Sequence, residues 1–258
     1  MFFWTLITIA LAGPPSLRVL NAAWDKNKLG VASKSIQPII LQPGDFEAVA
    51  KGRIGRRRIT EPGPDRAMGI AWTPTSREAV WVAIIDDIHD TMVSSLSEKR
   101  LGQSKLDQKL LYQHLSLPWP VANRQWVIKI WNNAPLAAAT NNEVWERPWD
   151  LADPGLMDQP DPTAVWVPMT NGSWFLMPVA NGTLVIYTAR TNIGGAIPDE
   201  LVTQWALSTL DEMIGHMLDR ATTIHQHYGV EHEPIIGGNN NAIPAFVGSN
   251  EENLHFQK

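Results

Sequence analysis

The sequence contains no cysteine and has no excess of basic residues. Without thiols the chain forms no disulfide bonds, binds no metal through thiolates and has no cysteine nucleophile, and its redox compartment stays undetermined. The 21 lysines and arginines are outnumbered by 26 aspartates and glutamates, which gives a net charge of −5. This acidic balance argues against general nucleic-acid binding, so we expect no nucleic-acid partner.

Several signatures of catalysis and of membrane insertion are also missing. There is no Gly-x-Ser-x-Gly nucleophile elbow and no glycine-rich phosphate loop. Past the N-terminus, no segment approaches the 18 apolar residues typical of a membrane-spanning helix. Tyrosine and phenylalanine are scarce, at three and six, whereas tryptophan occurs twelve times. Because tryptophan combines a large apolar surface with one N–H donor, this composition indicates wide apolar surfaces that also need polar contacts.

One short run is basic despite the acidic total. Residues 51–59, KGRIGRRRI, contain one lysine and four arginines. The run is either a patch for nucleic acid or an anionic membrane, or a β-strand with one solvated basic face. The acidic total favours the strand.

The first 23 residues predict a secretory signal peptide. Residues 1–13, MFFWTLITIALAG, form an apolar run that is too short to span a bilayer comfortably. Ala10-Leu11-Ala12 supplies a small-x-small cleavage pattern, and Asn21-Ala22-Ala23 supplies a later one. No lysine or arginine precedes the run, so a membrane-anchored N-terminus is the alternative. With a cleaved signal, the expected location is secreted or periplasmic.

A long amphipathic helix is predicted from Pro198 to Tyr228. Pro198 suits a first helical turn, and the carboxylates of Asp199 and Glu200 suit the positive end of the helix dipole. This helix needs a broad apolar cover from the rest of the chain. Its apolar or small residues recur at helical spacing, at Ala206, Leu210, Met213, Met217 and Ala221.

The residues before this helix predict hairpins. Asn171-Gly172 and Asn181-Gly182 each suit a two-residue turn, because both residue types tolerate positive φ. The turns would join strands at 164–170, 173–180 and 183–191. Alternation does not say which face packs on the helix and which needs another cover or a partner. One face collects Trp166, Phe175, Met177, Val179, Leu184, Ile186 and Thr188, and the other collects Val165, Val167, Trp174, Leu176, Val185 and Tyr187.

Further upstream, the periodicity predicts one more helix and three more strands. Thr75-Ser76 caps a helix at 77–86, REAVWVAIID, with Glu78 at capping-box spacing from Thr75. The period then changes to two, and residues 105–117 and 124–132 predict paired strands. A short strand is predicted at 145–149.

The predicted organisation is a single folded domain with appended ends. Residues 1–23 are assigned to the signal peptide and 24–66 to a lead-in that includes the first strand. The domain comprises residues 67–229 together with 45–66, and the low-complexity tail at 230–258 is expected to be disordered.

Three segments resemble the START-type lipid-transfer domains of the helix-grip superfamily, and the chain looks like a bacterial, secreted member of that family. Residues 77–86 look like the first helix of that family. Residues 118–127, PWPVANRQWV, are similar to its WPV–x–x–R–D–φ–V segment, with Gln125 where aspartate is usual. Residues 195–198, GAIP, look like its G–x–φ–P approach to the terminal helix.

The resemblance implies an α+β fold, in which a curved antiparallel sheet wraps around the C-terminal helix and encloses an apolar cavity for one lipid. The family has a buried basic residue, an acidic partner and often a histidine at three positions of this cavity. By the resemblance these positions correspond here to Ile130, Leu111 and Met177, which are all apolar. The residues expected to contact the ligand are Arg124, Trp126, Ile128, Ile130, Trp166, Phe175, Met177, Ile186, Thr188, Trp205, Ala206, Leu210, Met213 and Met217.

Three classes of function remain open. The expected one is a non-catalytic carrier of a hydrophobic small molecule, lipid or sterol-like, which uses no cofactor and contacts a membrane for loading. The second is an enzyme on the same scaffold, cyclase-like or hydrolase-like, with His114 and His216 as its candidate acid–base groups. The third is an interaction module that docks a partner on the second apolar sheet face. The sequence leaves the ligand and the oligomeric state open.

Two segments carry metal-ligand residue types, but no metal site is expected. In residues 86–90, DDIHD, neighbouring side chains diverge around a helix, so a polar helix end is favoured. His225, His227, Glu231 and His232 are expected to form a solvated helix terminus.

Overall fold

The protein forms one large β-sheet with helices against both of its faces in a computed structural model, which describes residues 13–86, 95–102, 107–195, 197–228 and 234–246. The helices are α1 (Leu17–Lys34), α2 (Phe46–Val49), α3 (Arg77–Ile85), α4 (Ala134–Ala139) and α5 (Asp199–Thr223). The strands are β1 (Gly55–Ile59), β2 (Arg66–Thr73), β3 (Leu96–Arg100), β4 (Gln108–Leu115), β5 (Arg124–Trp131), β6 (Trp145–Leu151), β7 (Val165–Trp166), β8 (Met169–Val179) and β9 (Gly182–Asn192).

The sheet is open, and its strands follow the order β1-β2-β9-β8-β6-β5-β4-β3. All neighbours along this order are antiparallel, and the short β7 pairs in parallel with β5. Together with the long C-terminal helix, this arrangement confirms the predicted α+β helix-grip architecture. The strands predicted at 105–117 and 124–132 pair as β4 and β5.

Helix α5 packs on what we call the inner face of the sheet. Pro198 is its N-cap, and Asp199 and Glu200 lie in its first turn, as the sequence predicts. A Cβ atom at Gly69 of β2 would collide with the side chain of Ile214 in α5. Glycine at this position therefore lets the helix approach the sheet closely.

The opposite, outer face of the sheet is covered by the N-terminal segment of the same chain. Leu20, Trp24 and Val31 of α1 are buried in one cluster with Phe175 and Met177 of β8. Both faces of the β8–β9 hairpin are apolar because each has its own helix. The second face thus has a cover within the chain, and the lead-in predicted at 24–66 begins within a packed helix.

A buried carboxylate ties this N-terminal segment to the sheet. Glu146 of β6 is fully buried, and it accepts hydrogen bonds from the hydroxyls of Ser35 and Ser173, both at 2.9 Å. It also accepts from the backbone N–H groups of Ile36 and Gln37, at 3.2 and 3.3 Å. Since a buried charge is tolerated only when it is well hydrogen-bonded, the segment after α1 is part of the fold.

One of the two predicted hairpins does not form. Asn171-Gly172 lies inside β8, and the ring of Trp149 from β6 occupies the place of a Cβ atom at Gly172. Here the glycine serves close packing rather than a turn. The second hairpin is confirmed, but its two-residue turn is Ala180-Asn181 rather than Asn181-Gly182, because Val179 pairs with Gly182.

Part of the tail predicted to be disordered is ordered. Ile235, Ile243 and Phe246 are buried. The indole N–H of Trp81 in α3 donates to the carbonyl of Ile236 at 2.9 Å. The disorder prediction is therefore wrong for 234–246; residues 230–233 and 247–258 lie outside the described residues.

Three of the four arginines of the basic run, Arg56, Arg57 and Arg58, lie on β1 and are paired with acidic residues. Arg57 contacts Asp45 at 3.0 Å, and Arg58 contacts Asp65 and, at 3.3 Å, Glu200. These pairs explain how a basic strand fits an acidic protein. Among the described residues, no helix is long and apolar enough to cross a membrane.

Candidate ligand-binding cavity

A cavity of about 240 Å³ lies between α5 and the inner face of the sheet. Alternate residues of the strands line it, and the register sets them in rows: Tyr187 of β9 lies beside Trp174 of β8, which lies beside Arg147 of β6. The lining residues are Ile84, Ile85, Asp86, Leu96, Glu98, Lys109, Leu111, Gln113, Leu115, Trp126, Ile128, Ile130, Arg147, Trp149, Thr170, Trp174, Tyr187, Ala189, Thr191, Ile193, Val202, Trp205, Ala206, Thr209, Leu210, Met213 and Met217.

Charged side chains gather where α3 ends, which we call the polar end (Asp86, Lys109 and Arg147). The Asp86 carboxylate pairs with Arg220 of α5 at 2.7 Å. The Lys109 ammonium donates to the carbonyl of Ile85, and the Arg147 guanidinium donates to a side-chain oxygen. These hydrogen bonds within the protein offset the cost of burying the charges.

A second polar row crosses β3, β4 and β5. The indole N–H of Trp126 donates to the Gln113 side chain, and the Gln113 amide donates in turn to Glu98. Further along the cavity, Thr170 and Thr191 share a hydrogen bond of 3.0 Å between their hydroxyls. These polar groups satisfy one another's hydrogen-bonding capacity. The rest of the cavity lining consists mainly of apolar side chains.

Three aromatic rings form a cluster in the cavity wall. The ring of Tyr187 stacks on Trp149 at 5.5 Å between centroids, and it lies 4.6 Å from the ring of Trp174. Burial raises the pKa of the Tyr187 phenol, because the charged form would lose its hydration. The Tyr187 hydroxyl makes no hydrogen bond to any described residue.

The fold is similar to several solved structures. No protein-family model and no curated protein matches the sequence. A STAR-related lipid transfer protein from Xanthomonas axonopodis is 20% identical, with a TM-score of 0.55 over 67% of this chain and 95% of that one. Human StAR-related lipid transfer protein 5 is 10% identical, with a TM-score of 0.54 over 81% and 98% of the two chains. Human STARD10 is 10% identical, with a TM-score of 0.52 over 76% and 86%.

The chain has a START-like helix-grip fold. At these identities the likeness establishes the fold, whereas the ligand has to be argued from the site.

Within the START-like fold, eight of the fourteen predicted contact residues line the cavity. They come from the two elements with the clearest periodicity, β5 and α5. They are Trp126, Ile128, Ile130, Trp205, Ala206, Leu210, Met213 and Met217.

Four of the remaining six, Phe175, Met177, Ile186 and Thr188, lie on the wrong side of the sheet. The first three are buried in the outer cluster with α1, and the Asn27 amide of α1 contacts the Met177 sulfur at 3.3 Å. The predicted division of β8 and β9 into two faces was right, but the choice of the face toward α5 was wrong. Because α1 buries the outer face, both faces carry the same apolar signal.

Arg124 and Trp166 also lie outside the cavity lining. Trp166 packs on an outer cluster around Tyr112. Arg124 is buried, and its guanidinium donates to the carbonyls of Ile193 and Gly194 at 2.7 and 3.1 Å. Its role is to hold the segment that leads into α5 against the start of β5.

Gln125, which stands where the resemblance expects aspartate, is fully used on the outer face. Its side-chain oxygen accepts from the Tyr112 hydroxyl at 2.8 Å, and its amide donates to the carbonyls of Asp161 and Ala164 at 2.8 and 3.0 Å. An aspartate has no amide donor for these two carbonyls. The substitution therefore suits the loop that packs here.

Several cavity residues escaped the sequence prediction. Trp174 and Tyr187 lie on the face that was not chosen. Lys109 and Arg147 are the basic groups of the cavity, and Lys109 lies opposite Ile130 in the register of β4 and β5. Pairing these two strands in register would have placed Lys109 beside the predicted residue.

The histidines proposed for an enzyme do not line the cavity. His114 contacts Asp161 at 3.0 Å, and neither it nor His216 is among the lining residues. The described residues contain no cluster of three potential metal ligands. Of the two segments with metal-ligand residue types, residues 87–90 and 231–232 lie outside the described residues.

Proposed function

We propose that the protein binds one hydrophobic small molecule, lipid or sterol-like, in this cavity and carries it without chemical change. The observation that supports this most is an apolar cavity of about 240 Å³ between α5 and the sheet, whose charged groups are hydrogen-bonded to the protein. A ligand there would replace water next to tryptophan, isoleucine and methionine side chains, which favours apolar molecules.

Binding without catalysis is the second part of the proposal. A general acid or base must reach the reacting atom, and the two candidate histidines lie away from the cavity lining. Of the two carboxylates in the cavity lining, Asp86 is paired with Arg220 and Glu98 accepts a hydrogen bond from the Gln113 amide. The Lys109 ammonium donates to a carbonyl. These groups are engaged in contacts between β3, β4, α3 and α5.

The test is to purify the protein, extract it with organic solvent and analyse the extract by mass spectrometry. We expect one apolar molecule per chain, recovered with unchanged mass after prolonged incubation with the protein. An extract free of apolar molecules, from a protein that also takes none up from a lipid mixture, would contradict binding. A time-dependent change of mass would contradict the non-catalytic role.

We also propose that the end of the cavity near the start of α5 contacts a membrane during loading. Trp205 lines the cavity and is 47% exposed, and Leu201, one turn earlier, is 56% exposed. Trp119 in the β4–β5 loop is 93% exposed, and Arg124 bonds both to this loop and to the segment before α5. Exposed tryptophans favour the membrane–water interface.

Vesicle flotation with neutral phosphatidylcholine tests this contact. We expect Trp119→Ala to reduce the vesicle-bound fraction. Ile40→Ala is the matched control, because Ile40 is also strongly exposed, at 80%, but belongs to the N-terminal segment. Equal binding of both variants and the wild type would argue against the contact.

For the location, we propose export with cleavage after Ala12. A cut there would leave α1 complete, whereas a cut after Ala23 would remove Leu20, which is buried against the sheet. N-terminal sequencing of the exported protein distinguishes the two sites, and a protein that retains residues 1–12 would contradict cleavage.

A further inference from the structure

Tyr187 presents a polar group to an otherwise apolar part of the cavity. Its ring is held between Trp149 and Trp174, at centroid distances of 5.5 and 4.6 Å. Its neighbour on β2 is Gly69, which has no side chain to cover the ring. The phenol is thus fixed in position by its neighbours, while its hydroxyl makes no hydrogen bond to any residue that the structure describes.

The other polar groups around the cavity differ from Tyr187 in this respect. Lys109 donates to a backbone carbonyl, Arg147 to the Asn132 side chain, and Thr170 and Thr191 bond to each other. Polar groups in protein interiors almost always have a partner, because an unsatisfied one loses its hydration without compensation. A lone hydroxyl in a cavity wall is therefore a site at which a bound molecule can supply the partner.

The resemblance places the polar contact of the cavity elsewhere, at Ile130 and Leu111. Both residues line the cavity, and both are apolar. If the ligand of this protein carries a polar atom, those two positions offer it no hydrogen bond. Tyr187 lies on β9, which is separated from β5 and β4 by β8 and β6 in the strand order.

We propose that Tyr187 donates a hydrogen bond to an uncharged oxygen of the ligand, such as a carbonyl oxygen on an otherwise apolar molecule. This inference rests on the proposed function and adds the chemical class of the ligand. The phenol is the neutral donor, because burial raises its pKa. The oxygen is uncharged because an ionised group would lose its hydration beside the Trp149 and Trp174 rings.

The test uses two probes that differ only by the carbonyl oxygen, 2-acetylnaphthalene and 2-ethylnaphthalene. Their dissociation constants are measured by equilibrium dialysis with the wild-type protein and with Tyr187→Phe, which keeps the ring between its two tryptophans. We expect Tyr187→Phe to weaken binding of the ketone about five- to tenfold and to leave the hydrocarbon unchanged. The infrared carbonyl stretch of the bound ketone should lie at lower frequency in the wild type than in the variant.

Tyr112→Phe is the matched control, since the Tyr112 hydroxyl donates to Gln125 away from the cavity. It should leave both affinities and the carbonyl stretch unchanged. If Tyr187→Phe binds the ketone as the wild type does, with the same carbonyl stretch, the assignment of Tyr187 is wrong while binding in the cavity stands. If the wild type binds neither probe, both the proposed function and this inference are contradicted.

Discussion

Replacing Met217 by tryptophan distinguishes an open cavity from a filled core. Met217 is 1% exposed and lines the cavity from α5. Met177 is 3% exposed and is packed on the outer face against α1. The two methionines are equally shielded from solvent but differ in the space beside them. Met217→Trp and Met177→Trp therefore form a pair of substitutions at equally buried sites, one beside free volume and the other in a filled core.

The expected effects follow from that difference. Enlarging a side chain in a filled core costs about 1–3 kcal/mol, because neighbours must leave their rotamers. At about 2–4 °C per kcal/mol for a chain of this size, Met177→Trp should lower Tm by about 2–12 °C. Beside a cavity of about 240 Å³ the indole has room, so Met217→Trp should change the free energy of unfolding by less than about 1 kcal/mol.

Two measurements check this pair. Thermal unfolding followed by circular dichroism gives Tm, and equilibrium dialysis of 2-acetylnaphthalene gives the bound fraction. We expect Met217→Trp to keep its Tm and lose binding, and Met177→Trp to lose stability and keep binding below its Tm. Equal destabilisation by the two substitutions would refute open space beside Met217, and full binding by Met217→Trp would refute binding of the probe in that space.

Three further predictions concern the fold around the site. Leu20→Ala should lower the free energy of unfolding by about 2–5 kcal/mol, because it leaves a void between α1 and the outer face. Gly172→Ala should cost about 1–3 kcal/mol, because its methyl group would collide with the backbone carbonyl of Thr188 and with the ring of Trp149. Hydrogen bonds from the hydroxyl and N–H of Thr163 lower the pKa of Asp161 from 3.8 to about 2. Their stabilising effect is present above pH 3.8 and is lost as the pH falls toward 2, so the Tm advantage over Asp161→Asn should shrink across that range.

Each of these predictions has its own check. Leu29→Ala lies in the same helix at a residue that is 77% exposed, and it should change stability little in urea unfolding. Equal losses from Leu20→Ala and Leu29→Ala would mean that α1 does not cover the sheet. Gly44→Ala, where a Cβ meets no atom within 4 Å, should be tolerated; a Gly172→Ala protein of equal stability would contradict the contact with Trp149. For Asp161, a Tm difference that does not vary with pH would contradict the shifted pKa.

Local patterns predicted the main elements because the physics behind them is local. Helical spacing identified α5, and Pro198 marked its beginning correctly. Alternation identified β4 and β5, and it placed Trp126, Ile128 and Ile130 on one face. The direction of that face came from the resemblance, which turned these three residues inward, because Val127 on the opposite face is also fully buried.

Pairing across the sheet overrode one local signal. Asn171-Gly172 has the residue types of a hairpin turn, yet it continues β8 because β6 and β9 pair with it on both sides. Trp149 then fills the space that the glycine leaves. Two ladders of backbone hydrogen bonds stabilise the strand more than the local preference stabilises a turn. The local sequence does not show these ladders, because their partners, β6 and β9, are separate segments of the chain.

The sequence by itself determined the class of fold, the long terminal helix and the cavity-facing residues of α5 and β5. Only the tertiary structure decided which face of β8 and β9 meets α5, since α1 makes the other face equally apolar. It also decided that Lys109, Arg147 and Tyr187 reach the cavity, because strand register depends on partners that are distant in the chain. The spacing of apolar residues along one strand indicates which side chains are buried. Which helix or strand covers them depends on how the sheet and helices assemble.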